Sequence, residues 1–311
     1  MRPDKKYLLS FIVPCKNEIA NIGRLIASID QNLPRHTYEI IVVDNGSTDG
    51  TIEYLLALQD RKLFVCPELP TVAALRNFGY EKSNSELLVF LDADVELGAH
   101  WYQTLIKFRV MGCFEATVSG SHVLEPKSAC FPIGWYDGGR QHMNGTHINT
   151  AHLIVNRKTF ADIGGFDSTM VSGEDFEFST RAVKKGYQVV NYPELKVTHY
   201  GYPKTLSEFF QREMWHGAGD TQNIGSILSS KVAMVSLVFS GCLIAALLLL
   251  PLAPVPSIFL VLISSLICVL SAIVKYRANG LLEKAYYSLV FSIYFFARFL
   301  SILKRIAYVW R

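Results

Sequence analysis

Glu86-Leu87-Leu88-Val89-Phe90-Leu91 runs straight into Asp92-Ala93-Asp94. A short apolar run of this length reads as a strand buried on both faces, and two carboxylates one residue apart project from its end. Leu8–Val13 and Glu39–Val43 repeat the pattern upstream, with a shorter strand at Lys62–Val65. Between them Ile19–Asn32, Thr51–Leu58 and Val72–Lys82 carry helical spacing. Strand and helix in alternation predict crossover units, hence an α/β fold with a mostly parallel, Rossmann-like sheet and helices on both faces. Ligands of such sheets gather beyond the carboxyl ends of the strands. The residues just after each strand are therefore the candidates for chemistry.

Downstream the pattern loosens. Apolar runs at Thr117–Ser119, His152–Val155 and Gln188–Asn191 alternate with Gly-rich turns, and Glu174–Lys185 reads as a helix. This stretch is expected to form the second half of the same domain. Thr205–His216 is an amphipathic helix with Leu206, Phe209, Phe210 and Met214 on one side, and Gly217–Gly225 links it to an apolar C-terminal region. From Val232 to Val274 there are 43 residues without a single Asp, Glu, Lys, Arg or His. Val232–Leu250, at ~1.5 Å per residue, just crosses a ~30 Å hydrocarbon core. Pro251, Pro254 and Pro256 supply the turn and Ser257–Val274 a second span. Lys231, Lys275 and Arg277 flank the same side of this transmembrane hairpin, which places that side in the cytosol. Tyr286–Leu303 is apolar too, yet Lys284, Arg298 and Arg305 share one face, so an in-plane interfacial helix is preferred here to a third span. The expected division is 1–204 catalytic, 205–230 interfacial helix and linker, 231–275 hairpin, and 276–311 interfacial helix or third span with a basic tail. The expected location is the inner (cytoplasmic) membrane, multi-pass, with the catalytic portion facing the cytosol.

Composition agrees with a mixed chain. Half of the 311 residues are hydrophobic and 18% are charged. Residues 1–230 carry a net charge of −4 and residues 231–311 a net of +7, so the basic excess belongs to the membrane-like tail and gives no support for nucleic-acid binding. The six cysteines contain no C-x-x-C pair and read as reduced thiols, most of them buried. Lys5-Lys6 precede an apolar run that stops at Pro14, with Lys16 and Glu18 close behind; a buried strand explains this better than a secretory signal.

Five places in the sequence could carry chemistry. Asp44 ends the strand Ile40–Val43 and opens Asn45-Gly46-Ser47-Thr48-Asp49-Gly50, where it is either a turn acid or an acceptor for a base or ribose. Asp92 and Asp94 would repel unless a divalent cation or sugar hydroxyls compensate them. Glu174-Asp175 opens a helix; Ser172 with Asp175 spells a capping box, and Asp175 is also placed to act as a general base. Arg76, in Arg76-Asn77-x-Gly79, could face a phosphate or pair on the surface, and His199 could ligate a metal through a neutral imidazole.

In this order the motifs resemble the family 2 glycosyltransferases of GT-A fold. The matching stretches are Phe11–Glu18, Val42–Gly50, Arg76–Gly79, Phe90–Asp94, Gly164–Asp167 and Gly173–Phe178. The resemblance implies that Pro14, Glu18 and Asp44 contact the nucleoside of a nucleotide-sugar donor and that Asp92 lies near ribose and sugar. It further implies that Asp94 binds Mg²⁺ or Mn²⁺ at the diphosphate, that His199 completes the metal site, and that Asp175 is the catalytic base. Gln211-Arg212-Glu213-Met214-Trp215 is similar to the Q-x-x-R-W motif of processive synthases, with Met214 where that motif has Arg. With only about two spans besides, single-sugar addition is expected, in the inverting mode, with a lipid-linked or glycan acceptor at the cytosolic membrane face. Two rivals share these residues. A sugar-phosphate nucleotidyltransferase would need a glycine-rich basic loop after the first strand, and none follows Val13; an inactive membrane-anchored synthase partner would have no use for clustered acids.

Overall fold

A computed structural model describes residues 7–58, 61–121, 123–126, 131–136, 147–221, 224–277 and 279–309. Cys130, one of the six thiols, falls outside them; Cys15, Cys66, Cys113, Cys242 and Cys268 are all free. Two compact units form, one from residues 1–127 and 143–202, the other from 128–142 and 203–311.

In the first unit the chain runs β1 (Leu9–Cys15), α1 (Ile22–Asn32), β2 (Tyr38–Asp44), α2 (Thr51–Ala57), β3 (Lys62–Val65), α3 (Val72–Lys82) and β4 (Leu87–Leu91). It continues through β5 (Val95–Leu97), α4 (Trp101–Val110), β6 (Thr117–Gly120) and β7 (Val123–Leu124). Then come β8 (His152–Asn156), α5 (Arg157–Ile163), α6 (Glu174–Lys184), β9 (Gln188–Asn191) and β10 (Val197–His199). The main sheet has the order β3-β2-β1-β4-β8-β6-β9, and β5-β10-β7 make a small second sheet. Pairing in the main sheet is parallel except along β8, which runs against both β4 and β6. The expected mostly parallel sheet is thus present, with one reversed strand that the run His152–Val155 gives no means of orienting.

Period-2 alternation divides the core. Leu9, Phe11 and Val13 of β1, with Leu87, Val89 and Leu91 of β4, pack on one face under α1 and α4. Ile12, Leu88 and Phe90 point to the opposite face, where α5 and α6 contribute Phe160, Ile163 and Phe178. A sheet with both faces buried explains why these strands read as continuous apolar runs. Phe178 lies 5.3 Å from Phe160 and 4.9 Å from Phe166, so the first turns of α6 are seated on an aromatic cluster. Register does the rest. Cys15 pairs with Asp44 and Ile12 with Phe90, which brings the carboxyl ends of β1, β2 and β4 side by side.

The second unit is helical: α7 (Leu206–Asp220), α8 (Ile224–Ser229), α9 (Lys231–Leu249), α10 (Pro254–Lys275) and α11 (Leu281–Val309). Three of its stretches, Lys231–Leu249, Pro254–Lys275 and Leu281–Lys304, are long and apolar enough to cross a membrane. Buried serines join α9 and α10 through neighbouring carbonyls, Ser257 Oγ donating to Ala246 O (2.7 Å) and Ser264 Oγ to Phe239 O (3.2 Å). Leu247, Leu248, Phe259 and Leu262 stay exposed, as lipid-facing positions would. α11 packs along both, with Phe291 and Phe295 against Phe239, Cys268 and Ala272. Its Arg298 donates to Glu213 of α7 at 2.9 Å, and both side chains are largely buried. A residue that reads in sequence as an awkward charge in an apolar helix is therefore neutralised inside the unit. Trp135, from a segment the sequence places between strands of the other unit, is buried here against Phe209, Phe291 and Tyr294, under the Lys275 ammonium. Tyr276 Oη and Tyr287 Oη donate to the carbonyls of Trp135 and Ile133.

Removing one partner of a buried ion pair strands the other, at a cost of about 3–5 kcal/mol, whereas replacing both by apolar residues costs little. Glu213→Ala should therefore lower the thermal unfolding midpoint in detergent, and the double change Glu213→Leu with Arg298→Met should recover most of it. Equal loss in the single and double variants would show that the pair is not what matters at these positions.

Candidate active site

β4 delivers Asp92 at the sheet edge, and a turn carries the chain through Asp94 into β5. β5 pairs antiparallel with β10, His199 lying opposite Val95, and Tyr200 N donates to Asp94 O at 2.8 Å. Two segments about a hundred residues apart are thereby stitched so that His199 Nε2 stands 3.1 Å from Asp94 Oδ1 and 3.8 Å from Asp92 Oδ2. Ligand atoms of Asp92, Asp94 and His199 lie within 4.8 Å of one another. Adjacent ligands of an octahedral ion at ~2.1 Å are ~3 Å apart, and two carboxylates with an imidazole suit a hard or borderline divalent cation. These residues fit such an ion. Gly201 explains itself here: a Cβ on it would sit 1.7 Å from Asp94 Oδ2, so only glycine lets the carboxylate lie where it does.

Arg76 of α3 is buried, and its two terminal nitrogens are engaged. Nη2 meets Asp92 Oδ1 and Nη1 meets Glu174 Oε1, each at 2.6 Å. Thr150 Oγ1 also donates to Glu174 Oε1, at 3.3 Å. The neighbouring Asn77 holds α3 to the chain before α6. Its side chain donates to Phe166 O at 2.8 Å and accepts from Phe166 N at 3.0 Å, against Gly165 in the left-handed region. The stretches Arg76–Gly79 and Gly164–Asp167 thus meet each other.

Asp175 stands one residue into α6. The capping box read from Ser172 and Asp175 is not formed: the N-cap position is Gly173, with φ +81°, and no side chain caps it. The left-handed glycine turns the chain so that Asp175 Oδ1 instead accepts the Phe176 N–H at 2.8 Å. Burial, then the adjacent Glu174 charge, push the Asp175 carboxyl up to about 7, against the smaller pull of Arg76.

Glu18, after β1, donates its backbone N–H to Thr51 Oγ1, and its carboxylate accepts from Asn21 Nδ2 at 2.8 Å. Burial pushes that carboxyl up to about 7, with the charges of Asp94 and Asp92 adding to the rise. Asp44 is fully buried at the end of β2, accepting from Ser47 N (2.7 Å) and Ser47 Oγ (2.5 Å). Asn45 pins the same loop by donating to Leu69 O at 2.9 Å. Pro14 is buried in β1 opposite Val43. Arg76, Asp92, Asp94, Glu174 and His199 therefore form one contact network with Asp175 beside it, and the charges of Asp92 and Asp94 reach Glu18. Pro14 and Asp44 share the same sheet edge, but the Asp44 carboxylate is held by Ser47 of its own loop and not by that network. Sequence patterns do not single out Gly201 or Thr150. For Gly201 the only signal is a glycine two residues beyond the candidate ligand His199.

Residues 10–110 match the model of Glycosyl transferase family 2, and residues 143–276 match that of Glycosyl transferase family group 2. The chain is 27% identical over 225 residues to Glycosyltransferase AglE of Haloferax volcanii, covering 69% of this chain and 73% of that protein. It is 24% identical over 227 residues to the Pre-mycofactocin glycosyltransferase of Mycobacterium tuberculosis, covering 67% of this chain but only 46% of that one. Among solved structures it is similar to the mannosyltransferase PcManGT from Pyrobaculum calidifontis, solved with GDP-Man and Mn²⁺. The TM-score is 0.56 at 18% identity, over 97% of this chain and 89% of that one. At that identity the likeness is one of fold.

If Asp94 and His199 hold the ion, Gly201→Ala should displace the carboxylate and weaken Mn²⁺ binding about 10–100-fold, read from the free Mn²⁺ signal in electron paramagnetic resonance. Unchanged affinity would remove Asp94 from the ion site.

Proposed function

Since the chain belongs to the family 2 glycosyltransferases, we propose that it moves one sugar, with inversion, from a nucleoside-diphosphate sugar to an acceptor hydroxyl, with a divalent cation as cofactor. The observation that carries this reading is the network through Arg76, which joins a cation site and a candidate base on one rim. Asp94 and His199 would hold Mg²⁺ or Mn²⁺, and such an ion, when bound, neutralises charge on a departing diphosphate. Arg76 pairs with Asp92 and keeps it directed toward donor ribose and sugar. Asp44, Glu18 and Pro14, on the neighbouring strand tips, take the nucleoside. Asp175 accepts the proton of the attacking hydroxyl, and Glu174, fixed by Arg76 and Thr150, raises its affinity for that proton. A single base facing the acceptor supports direct displacement, hence inversion. PcManGT was solved with GDP-Man and Mn²⁺, which supports the same classes of donor and ion for this chain.

The acceptor is lipid-linked or part of a glycan, and the enzyme works at the cytosolic face of a membrane. Three apolar helices support the anchoring, and the flanking Lys231, Lys275 and Arg277 support the orientation. α11 serves as a third span instead of an interfacial helix, because it packs along α9 and α10 and its Arg298 is paired with Glu213. An active site tethered near the headgroups meets a lipid-linked substrate at raised effective concentration.

A base whose proton affinity sits near 7 is inactive when protonated, so transfer should rise with pH through a limb near 7 and level off above it. Asp175→Asn should lose about 10²–10⁴-fold in turnover and the limb with it. The assay is nucleoside diphosphate release from a panel of UDP- and GDP-sugars by membranes containing the protein, in Mg²⁺ and Mn²⁺. Wild-type turnover in Asp175→Asn would remove the base, and release of pyrophosphate instead would make the enzyme a nucleotidyltransferase.

A further inference from the structure

We propose that Arg24 of α1 is a positioning residue for the cation site, acting through Tyr200. The inference rests on the transferase reading above. His199 ends β10 and Asp94 directly precedes β5. Strands β5, β10 and β7 form a sheet of their own, so strand pairing does not fix these two ligands relative to the main sheet. α1 makes that connection. Ser28 Oγ accepts the Leu97 N–H at 3.1 Å, and one turn earlier the guanidinium carbon of Arg24 lies 3.9 Å from the centre of the Tyr200 ring, a cation–π contact. Alternation along β5 and β10 accounts for the placement. Val95, Leu97, Val197 and His199 are buried on one face, while Glu96, Thr198 and Tyr200 stand half-buried on the other.

Tyr200 touches both ligands' segments. It follows His199 directly, its N–H donates to Asp94 O at 2.8 Å, and its Oη donates to Glu96 Oε2 at 2.6 Å. A guanidinium laid on this ring therefore braces the residue that ties Asp94 to His199. Arg24 Nη1 also donates to Asn21 Oδ1 at 3.3 Å, and Asn21 Nδ2 to Glu18 Oε2 at 2.8 Å. The same arginine thus links the loop after β1, proposed above to take the nucleoside, with the segment that carries the ion. A nucleoside diphosphate reaching both needs that span held. Charge alone predicts the opposite sign of effect. Taking a positive charge away from a cation site relieves repulsion and favours the ion, whereas taking a brace away lets its ligands shift and weakens it. The direction of the change separates the two.

The test titrates Mn²⁺ into the purified full chain in detergent and reads free Mn²⁺ by electron paramagnetic resonance, with the thermal unfolding midpoint taken on the same samples. Arg24→Met keeps the stem and removes the guanidinium, and its Mn²⁺ affinity should fall about tenfold. Arg24→Lys keeps a cation over the ring and should stay within about twofold of the wild type. Tyr200→Leu should match Arg24→Met, and the two changes together should cost no more than either, since Arg24 acts through that ring. Unchanged or tighter Mn²⁺ binding by Arg24→Met, whatever its unfolding midpoint, would overturn the proposal, as would a further loss in the double variant. A wild-type chain that binds no Mn²⁺ would remove the cation site of the transferase reading and this assignment with it. Equal binding by wild type and Arg24→Met would leave that site standing and remove Arg24 alone.

Discussion

A buried guanidinium between two carboxylates holds this site together. Arg76 is taken out of water, which is tolerable only because Asp92 and Glu174 each meet it at 2.6 Å. Conversely, Asp92 comes within 3.8 Å of His199 and leads into Asp94, and Glu174 is adjacent to Asp175; without a fixed positive charge this group of acids would repel one another. The bridge also fixes geometry. One end grips the tip of β4 and the other the start of α6, so the Asp92–Asp94–His199 group and Asp175 have a set separation.

The ends of this bridge are visible in the sequence, but the bridge is not. Strand–helix alternation places Asp44 and Asp92 at the sheet edge, because strands buried on both faces leave a plain apolar signature. His199, Glu174 and Asp175 can be singled out only through their motifs, since nothing local to residue 199 says that β10 will pair with β5 beside Asp94. Arg76 stands out in sequence only through Arg76-Asn77-x-Gly79, as a group that could face a phosphate or pair on the surface, and not as a buried bridge between two acids. Its two partners lie 16 and 98 residues away, and only tertiary packing brings them together. Gly201 is hidden for a similar reason, since its lack of a side chain matters only because Asp94 Oδ2 lies where a Cβ would be. The expected capping box fails because Gly173, with φ +81°, takes the cap position and turns Asp175 onto the Phe176 amide.

In the helical unit, hydropathy alone locates the first two long apolar helices. It does not decide α11, because the charge of Arg298 is offset by Glu213, 85 residues earlier. Nor does it show that Trp135 leaves the strand-rich part of the chain to be buried among Phe209, Phe291 and Tyr294. Aromatic packing of this kind is non-local and has no period to read. The apolar length of the three helices and their exposed leucines and phenylalanines suit association with a membrane.

The most direct test is anomalous diffraction from crystals of the full chain grown with Mn²⁺ and a nucleoside diphosphate. One manganese peak, ligated by Asp94 and His199 and touching the diphosphate, with Asp175 facing the same pocket, is the result expected. A nucleotide bound with manganese elsewhere, or with Asp175 turned toward another surface, would contradict a single shared rim.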